Sequence, residues 1–287
     1  MNFLFDILLD ALIDSLKLLP FLFLTYLLME FIERYAEEKT EKLVKKSGPL
    51  GPVIGAIIGV VPQCGFSTAA ANLYAGRLIT AGTLIAVFLS TSDEMVPIFL
   101  SEASNGFDSS VIIKVMIIKI IVGLCFGLLI DYYLKLKHMH DEHLHIHDIC
   151  EHDHCHCEKG TLHSTLSHTL KTFSFIFIAS LLLGLMIHFI GEDTIKNIAF
   201  NKPFIGEVIA ALIGLIPNCA ASIIISELFV SGVMSFSAMI AGLLSSAGVG
   251  ILVLLRVNNH PMQNVKIIST LYIIAVVAGI IIRFIPV

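Results

Sequence analysis

Eight apolar runs dominate the chain, at roughly 12–32, 50–76, 78–100, 111–133, 170–190, 204–230, 233–255 and 265–285. A hydrocarbon core about 30 Å thick is crossed by about 20 apolar residues in a helix. In lipid each backbone amide and carbonyl must be satisfied within its own structure, so runs of this length without alternation fold as helices. Only 14% of the residues are charged, against about a quarter in a soluble domain. The expected class is an all-α polytopic membrane protein.

Asp6, Asp10 and Asp14 recur every four residues ahead of the first run, with no early Lys or Arg. That pattern predicts the polar face of an interfacial helix and argues against a cleavable signal peptide, which has a basic start. The net charge is −5, and no basic patch interleaved with aromatics points to a nucleic-acid partner. The six cysteines are divided between apolar runs and one linker, a distribution of thiols rather than a secreted disulfide framework.

The polar segment HMHDEHLHIHDICEHDHCHCEKG separates the runs four and four. We read three parts: a first transmembrane repeat at 1–137, a His/Cys-rich metal-binding linker at 138–160 and a second transmembrane repeat at 161–287. A shift of 155 residues aligns 50–100 with 205–255 without a gap, with 15 identities in 51 positions. Aliphatic matches are cheap in this composition. The weight falls on Gly51/Gly206, Gly59/Gly214, Pro62/Pro217, Cys64/Cys219, Ser67/Ser222 and Ser90/Ser245, with Gln63 opposite Asn218. Shifts of 154 and 152 extend the match to Lys17/Lys171 and to Gly127/Gly279. Such internal repeats are characteristic of secondary transporters.

Basic residues accumulate in cytoplasmic loops. Loop 33–49 holds Arg34, Lys39, Lys42, Lys45 and Lys46, the linker is flanked by Lys135, Lys137, Lys159 and Lys171, and loop 256–266 holds Arg256 and Lys266. All three are expected inside. Loop 101–110 has no Lys or Arg and is expected outside. Only an odd number of crossings per half satisfies all four. The halves are therefore expected to be inverted repeats, each with three or more spanning helices and a Pro-broken hairpin, joined by a cytoplasmic His-rich linker.

Each half contains G-x-x-P-[QN]-C-x-x-S. Proline removes an amide donor and clashes with the carbonyl four residues back, so Pro62 and Pro217 should break their helices. Broken backbone at membrane depth is tolerated where it lines a cavity or is buried in protein. Cys64 and Cys219 would then come one from each hairpin tip, and paired soft thiolates suit thiophilic metals and metalloids. Gln63, Asn218, Ser67 and Ser222 would add oxygens for a hydroxylated or dehydrated substrate. A lone membrane cysteine usually fills space, and Cys125 is assigned to packing; a duplicated Pro-polar-Cys-x-x-Ser is a stronger signal.

Asp93 and Glu94 lie at or near membrane depth opposite Gly248 and Val249. An intramembrane carboxylate is a candidate functional group, here for a proton or a hard divalent ion, with early termination of the span as the alternative. Lys119 is a candidate internal partner for them, Lys114 is expected to snorkel, and Glu227 is read as a helix-end residue. In the linker His138, His140, His143, His145, His147, His152, His154 and His156 interleave with Cys150, Cys155 and Cys157. Imidazole and thiolate are ligands for zinc, copper and nickel, and the irregular spacing suits a flexible tract rather than a folded site. No tightly bound cofactor is expected beyond transition-metal ions on this tract. No catalytic or nucleotide-binding motif is present, so neither an enzyme nor an ATP-driven pump is expected.

GPVIGAIIGVVPQCGFS, followed by FLSTSDEMVP and by GLIPNCAAS in the second half around a His-rich centre, resembles the ten-helix heavy-metal exporter family. Its bacterial members are described as arsenic efflux proteins or manganese transporters. The resemblance covers nearly the whole chain and implies export of a metal or metalloid, with ten segments if each broken hairpin counts as two. The expectation is a secondary-active efflux permease in the cytoplasmic membrane, with an arsenite-type substrate favoured. The alternative is a divalent cation (Mn²⁺ or Zn²⁺) transporter using the acids and amides. A non-transporting membrane sensor ranks below both. Expected partners are the substrate ion and the bilayer, with a homo-oligomer left open.

Overall fold

In the computed structural model, residues 50–61, 64–92, 95–103, 107–136 and 204–285 are described throughout, with individual helical positions between 8 and 27 and between 165 and 182. The regular elements among them are all helices. In chain order they are α1 (Leu50–Gly59), α2 (Cys64–Ala75), α3 (Ala81–Ser90), α4 (Met95–Ala103) and α5 (Ser110–Leu136), then α6 (Ile205–Gly214), α7 (Cys219–Val230), α8 (Phe236–Ser245), α9 (Gly250–Val257) and α10 (Pro261–Arg283). The same five elements occur twice, and the first four of each set begin 155 residues apart. At 1.5 Å per residue the short helices span about 12–18 Å, roughly half of a bilayer core. Only α5 and α10, of 27 and 23 residues, are long and unbroken.

Side-chain-free contacts set the direction of each element. A Cβ at Gly51 would meet Thr83, and one at Gly59 would fall on Ser90 Oγ, so α1 and α3 run side by side in the same direction. The connecting α2 must therefore turn back, and α1–α2 forms a V that closes where α1 ends at Gly59 and α2 begins at Cys64. A Cβ at Gly127 would meet Ala86 and Gly82 O, while Asp131 accepts from Gly82 N at 2.9 Å, so α5 runs opposite to α3. The second half repeats each relation. A Cβ at Gly214 would meet Gly242 O and Ser245 Oγ, and one at Gly279 would meet Ala241 and Ser237 O.

The halves interlock through their broken elements. From the centre, α2 runs outward beside α9, with Ser67 against Gly250 and then Arg77 Nη2 donating to Gln263 Oε1 at 3.0 Å. Likewise α7 runs outward beside α4, ending in an aromatic group where Phe229 lies 6.0 Å from Phe99 and 6.1 Å from Phe107. The two Vs therefore open toward opposite ends of the molecule. We call these the Arg77 end and the Phe229 end.

Runs 78–100 and 233–255 are long enough to span, yet each is interrupted midway, at 91–92 and at 246–249. Hydroxyls compete for the helical carbonyls there: Thr91 Oγ1 donates to Val87 O at 2.8 Å and Ser92 Oγ to Ser90 O at 3.1 Å. In the second half Gly248 adopts φ +54, a conformation natural to glycine. Apolar periodicity is blind to such breaks because the flanking residues stay hydrophobic.

The broken spans α3–α4 and α8–α9 are buried at the centre, whereas α5 and α10 face outward. Ile113, Ile117 and Ile121 on α5, and Ile273, Val277 and Ile281 on α10, form apolar stripes suited to lipid tails. Cys125, expected in packing, lies exposed on α5. Near the two chain regions described only at single positions, Tyr26 Oη and the Thr172 hydroxyl of the helix Thr169–Ile178 are 2.8 Å apart and buried.

Candidate functional site

The two V tips meet. Cys64 is the first residue of α2 and Cys219 the first of α7, and their Sγ atoms are 3.4 Å apart. Cys64 is half-buried and Cys219 buried. Two 12-residue helices thus present their N-terminal ends to one point, where unpaired amides carry partial positive charge. Asn218 supplies the local reason for the start of α7: in extended conformation (φ −147, ψ 150), its carboxamide oxygen accepts from Ala220 N at 3.3 Å, an ordinary N-cap. Pro217, half-buried, precedes it in the turn that ends α6.

The serines of the motif are turned onto their own helices. Ser67 Oγ donates to Cys64 O at 2.9 Å and Ser222 Oγ to Cys219 O at 2.8 Å. They hold the first turns behind the thiols. Pro62, Gln63, Asp93, Glu94 and the linker residues from His138 to Cys157 lie outside the described residues.

Lys119 is buried at 1% exposure on α5. Its ammonium donates to Leu243 O at 2.8 Å and to Thr91 O. These carbonyls lie at the C-terminal ends of α8 and α3, where the partial charge is negative and cations are favoured. One lysine therefore bridges the breaks of both halves. Its aligned position, at the 152-residue shift, is the buried Leu271. Lys114 is exposed on the same helix, and Glu227 is exposed in the last turn of α7.

Sequence reasoning missed Thr68 and Asn72 on α2. Both are fully buried, and Thr68 Oγ1 with both polar atoms of the Asn72 amide find no hydrogen-bond partner among the described residues. Such a group costs about 1–3 kcal/mol. Their spacing from Cys64, four and eight residues, was the available signal. Among the described residues no group of three or more His, Cys, Asp and Glu is placed to hold a metal ion.

Half-length helices meeting tip to tip inside a bundle of apolar spans define a multi-pass membrane protein of the kind that moves small solutes. Residues 4–205 and 191–286 match the family described as "putative, 10TM heavy-metal exporter", and the chain belongs to it. No curated protein and no solved structure is matched. The family implies a metal efflux transporter rather than an enzyme.

Proposed function

We propose that the protein is a secondary-active efflux permease with inverted repeats in the cytoplasmic membrane, exporting a trivalent metalloid of the arsenite type. The Cys64–Cys219 pair carries this reading. Two thiols brought within 3.4 Å of each other can both bind one thiophilic centre. Divalent manganese prefers oxygen ligands, while the hydroxyls of Ser67 and Ser222 and the Asn218 carboxamide oxygen are engaged with their own helices.

Inversion of the repeats is supported by the opposite openings of the two Vs. Sidedness is supported by charge: the Arg77 end gathers the loop after α2, the loop before α10 and the α5 terminus with Lys135. The loop before α5, without Lys or Arg, lies at the Phe229 end. The Arg77 end is accordingly cytoplasmic. The linker at 138–160 would capture metal there with His138, His140, His143, His145, His147, Cys150, His152, His154, Cys155, His156 and Cys157. Substrate then binds between the tips. Because α2 is packed on α9 and α7 on α4, a V that rocks carries the other half's broken span with it, exchanging one opening for the other. Proton exchange through Asp93 or Glu94 is the proposed drive.

Flux into inside-out vesicles tests this, with arsenite, Mn²⁺ and Zn²⁺ compared in wild type and Cys64→Ser/Cys219→Ser. Arsenite flux should be lost in the double variant. Unchanged arsenite flux would remove the thiol site, and flux of Mn²⁺ alone would favour the oxygen-ligand alternative.

A further inference from the structure

Cys64, Thr68 and Asn72 stand four residues apart along α2 and so share one helical face. A rise of 1.5 Å per residue puts Thr68 about 6 Å and Asn72 about 12 Å beyond the thiol along the axis, toward the Arg77 end. Neither is exposed at all, and the Thr68 hydroxyl and both ends of the Asn72 amide are unpaired among the described residues. Buried polar atoms are paired in the great majority of cases. Three unpaired in a row, leading away from a reactive sulfur pair, indicate a partner that comes and goes. The feature belongs to one arm only. The aligned positions on α7 are Ile223 and the exposed Glu227.

We propose that Thr68 and Asn72 form a second binding station for the transported species, on the cytoplasmic side of the Cys64–Cys219 pair, which receives it as a neutral, hydroxyl-bearing metalloid. This rests on the thiol reading above. The station offers one hydroxyl, two amide N–H donors and an amide acceptor, with no formal charge. A bare divalent cation would require carboxylates, and an oxyanion would require Lys or Arg. A neutral trihydroxy species donates and accepts at once, and matches both residues. From this station it moves about two helical turns to the thiols. There two of its three metalloid–oxygen bonds are replaced by metalloid–sulfur bonds to Cys64 and Cys219, each thiol proton leaving with a hydroxyl as water, the third hydroxyl staying on the metalloid and no oxidation state changing.

The test uses the full chain in proteoliposomes with arsenite as the probe, alongside thermal unfolding of the same variants in detergent. Thr68→Val and Asn72→Leu remove the polar atoms at nearly constant volume. The double variant should raise KM for arsenite about tenfold, the equivalent of one to two lost hydrogen bonds. Its unfolding midpoint should stay level or rise, because no protein partner is deserted. Two results overturn the station: wild-type KM in the double variant, or a lowered midpoint with flux falling only in proportion to the folded fraction. If instead Cys64→Ser/Cys219→Ser keeps full arsenite flux, the thiol reading beneath it fails, and the Thr68/Asn72 variants are not needed to see it.

Discussion

Gly59 and Gly214 show how tightly single residues constrain this chain. Each sits where its helix touches the C-terminal turn of the neighbour, and a methyl group there would collide with Ser90 Oγ or with Gly242 O and Ser245 Oγ. The obstacle includes backbone, so it cannot swing aside. Gly214→Ala should therefore cost about 1–3 kcal/mol, the range for overpacking a close contact. Gly232, at φ +74 with nothing within 4 Å, should lose about 1–2 kcal/mol as alanine from backbone strain alone. Unfolding midpoints of the two variants check this.

The ends of α5 and α10 show the same joint built with opposite charges. Asp131 on α5 accepts from Thr80 Oγ1 at 2.6 Å and from Gly82 N, capping α3. At the corresponding corner, Arg283 of α10 donates to the buried Glu207 at 2.8 Å, and Ser237 Oγ donates to the same oxygen at 2.7 Å. Arg283→Leu leaves a buried carboxylate uncompensated and should cost about 3–5 kcal/mol. Arg283→Leu with Glu207→Leu should recover most of that, as a double-mutant cycle would measure. Asp131→Ala should cost only about 1–2 kcal/mol, the value of a cap.

At the scale of elements, the breaks matter more than the helices. Each half is interrupted twice, between its first and second helices and between its third and fourth, so that α1, α3, α6 and α8 end where α2, α4, α7 and α9 begin. Lys119 ties the α3 and α8 breaks together, acting as a tethered cation at two helix C-termini. Replacing it by leucine, the residue at the aligned position 271, leaves those carbonyls without their charged donor. A hydrogen bond to a charged group contributes about 1.5–3 kcal/mol. Lys119→Leu should lower the unfolding midpoint and abolish flux, whereas Lys114→Leu on the exposed face of the same helix should do neither.

For the whole molecule the interlocking of halves places the end of α2 and the start of α10 at the same end. Single cysteines at Arg77 and Gln263, in a background without any of the six native cysteines, should both react with an impermeant maleimide from the cytoplasmic face. A cysteine at Phe107 should react only from the outside. Labelling of Arg77 and Gln263 from opposite faces would contradict the shared end set by their 3.0 Å contact.

The class and the duplication were legible in the sequence because both are written in local terms. Run length against bilayer thickness requires membrane helices, and a gapless 155-residue shift nominates Cys64 with Cys219 and Gly59 with Gly214. Proline beside a polar residue marked the hairpin tips. The breaks at 91–92 and 246–249 were not legible, since serines and threonines inside an apolar run read equally well as a helix with back-bonded hydroxyls. Nor were the 3.4 Å thiol contact, the anchoring of Lys119 on carbonyls from both halves, or the unpaired Thr68 and Asn72. The first two depend on pairs of groups 155 and 124 positions apart, and the third on what packs around α2. Local sequence specifies which segments bend and which face is apolar; only the packing of one half against the other decides which ends meet and which polar atoms are left waiting for a partner.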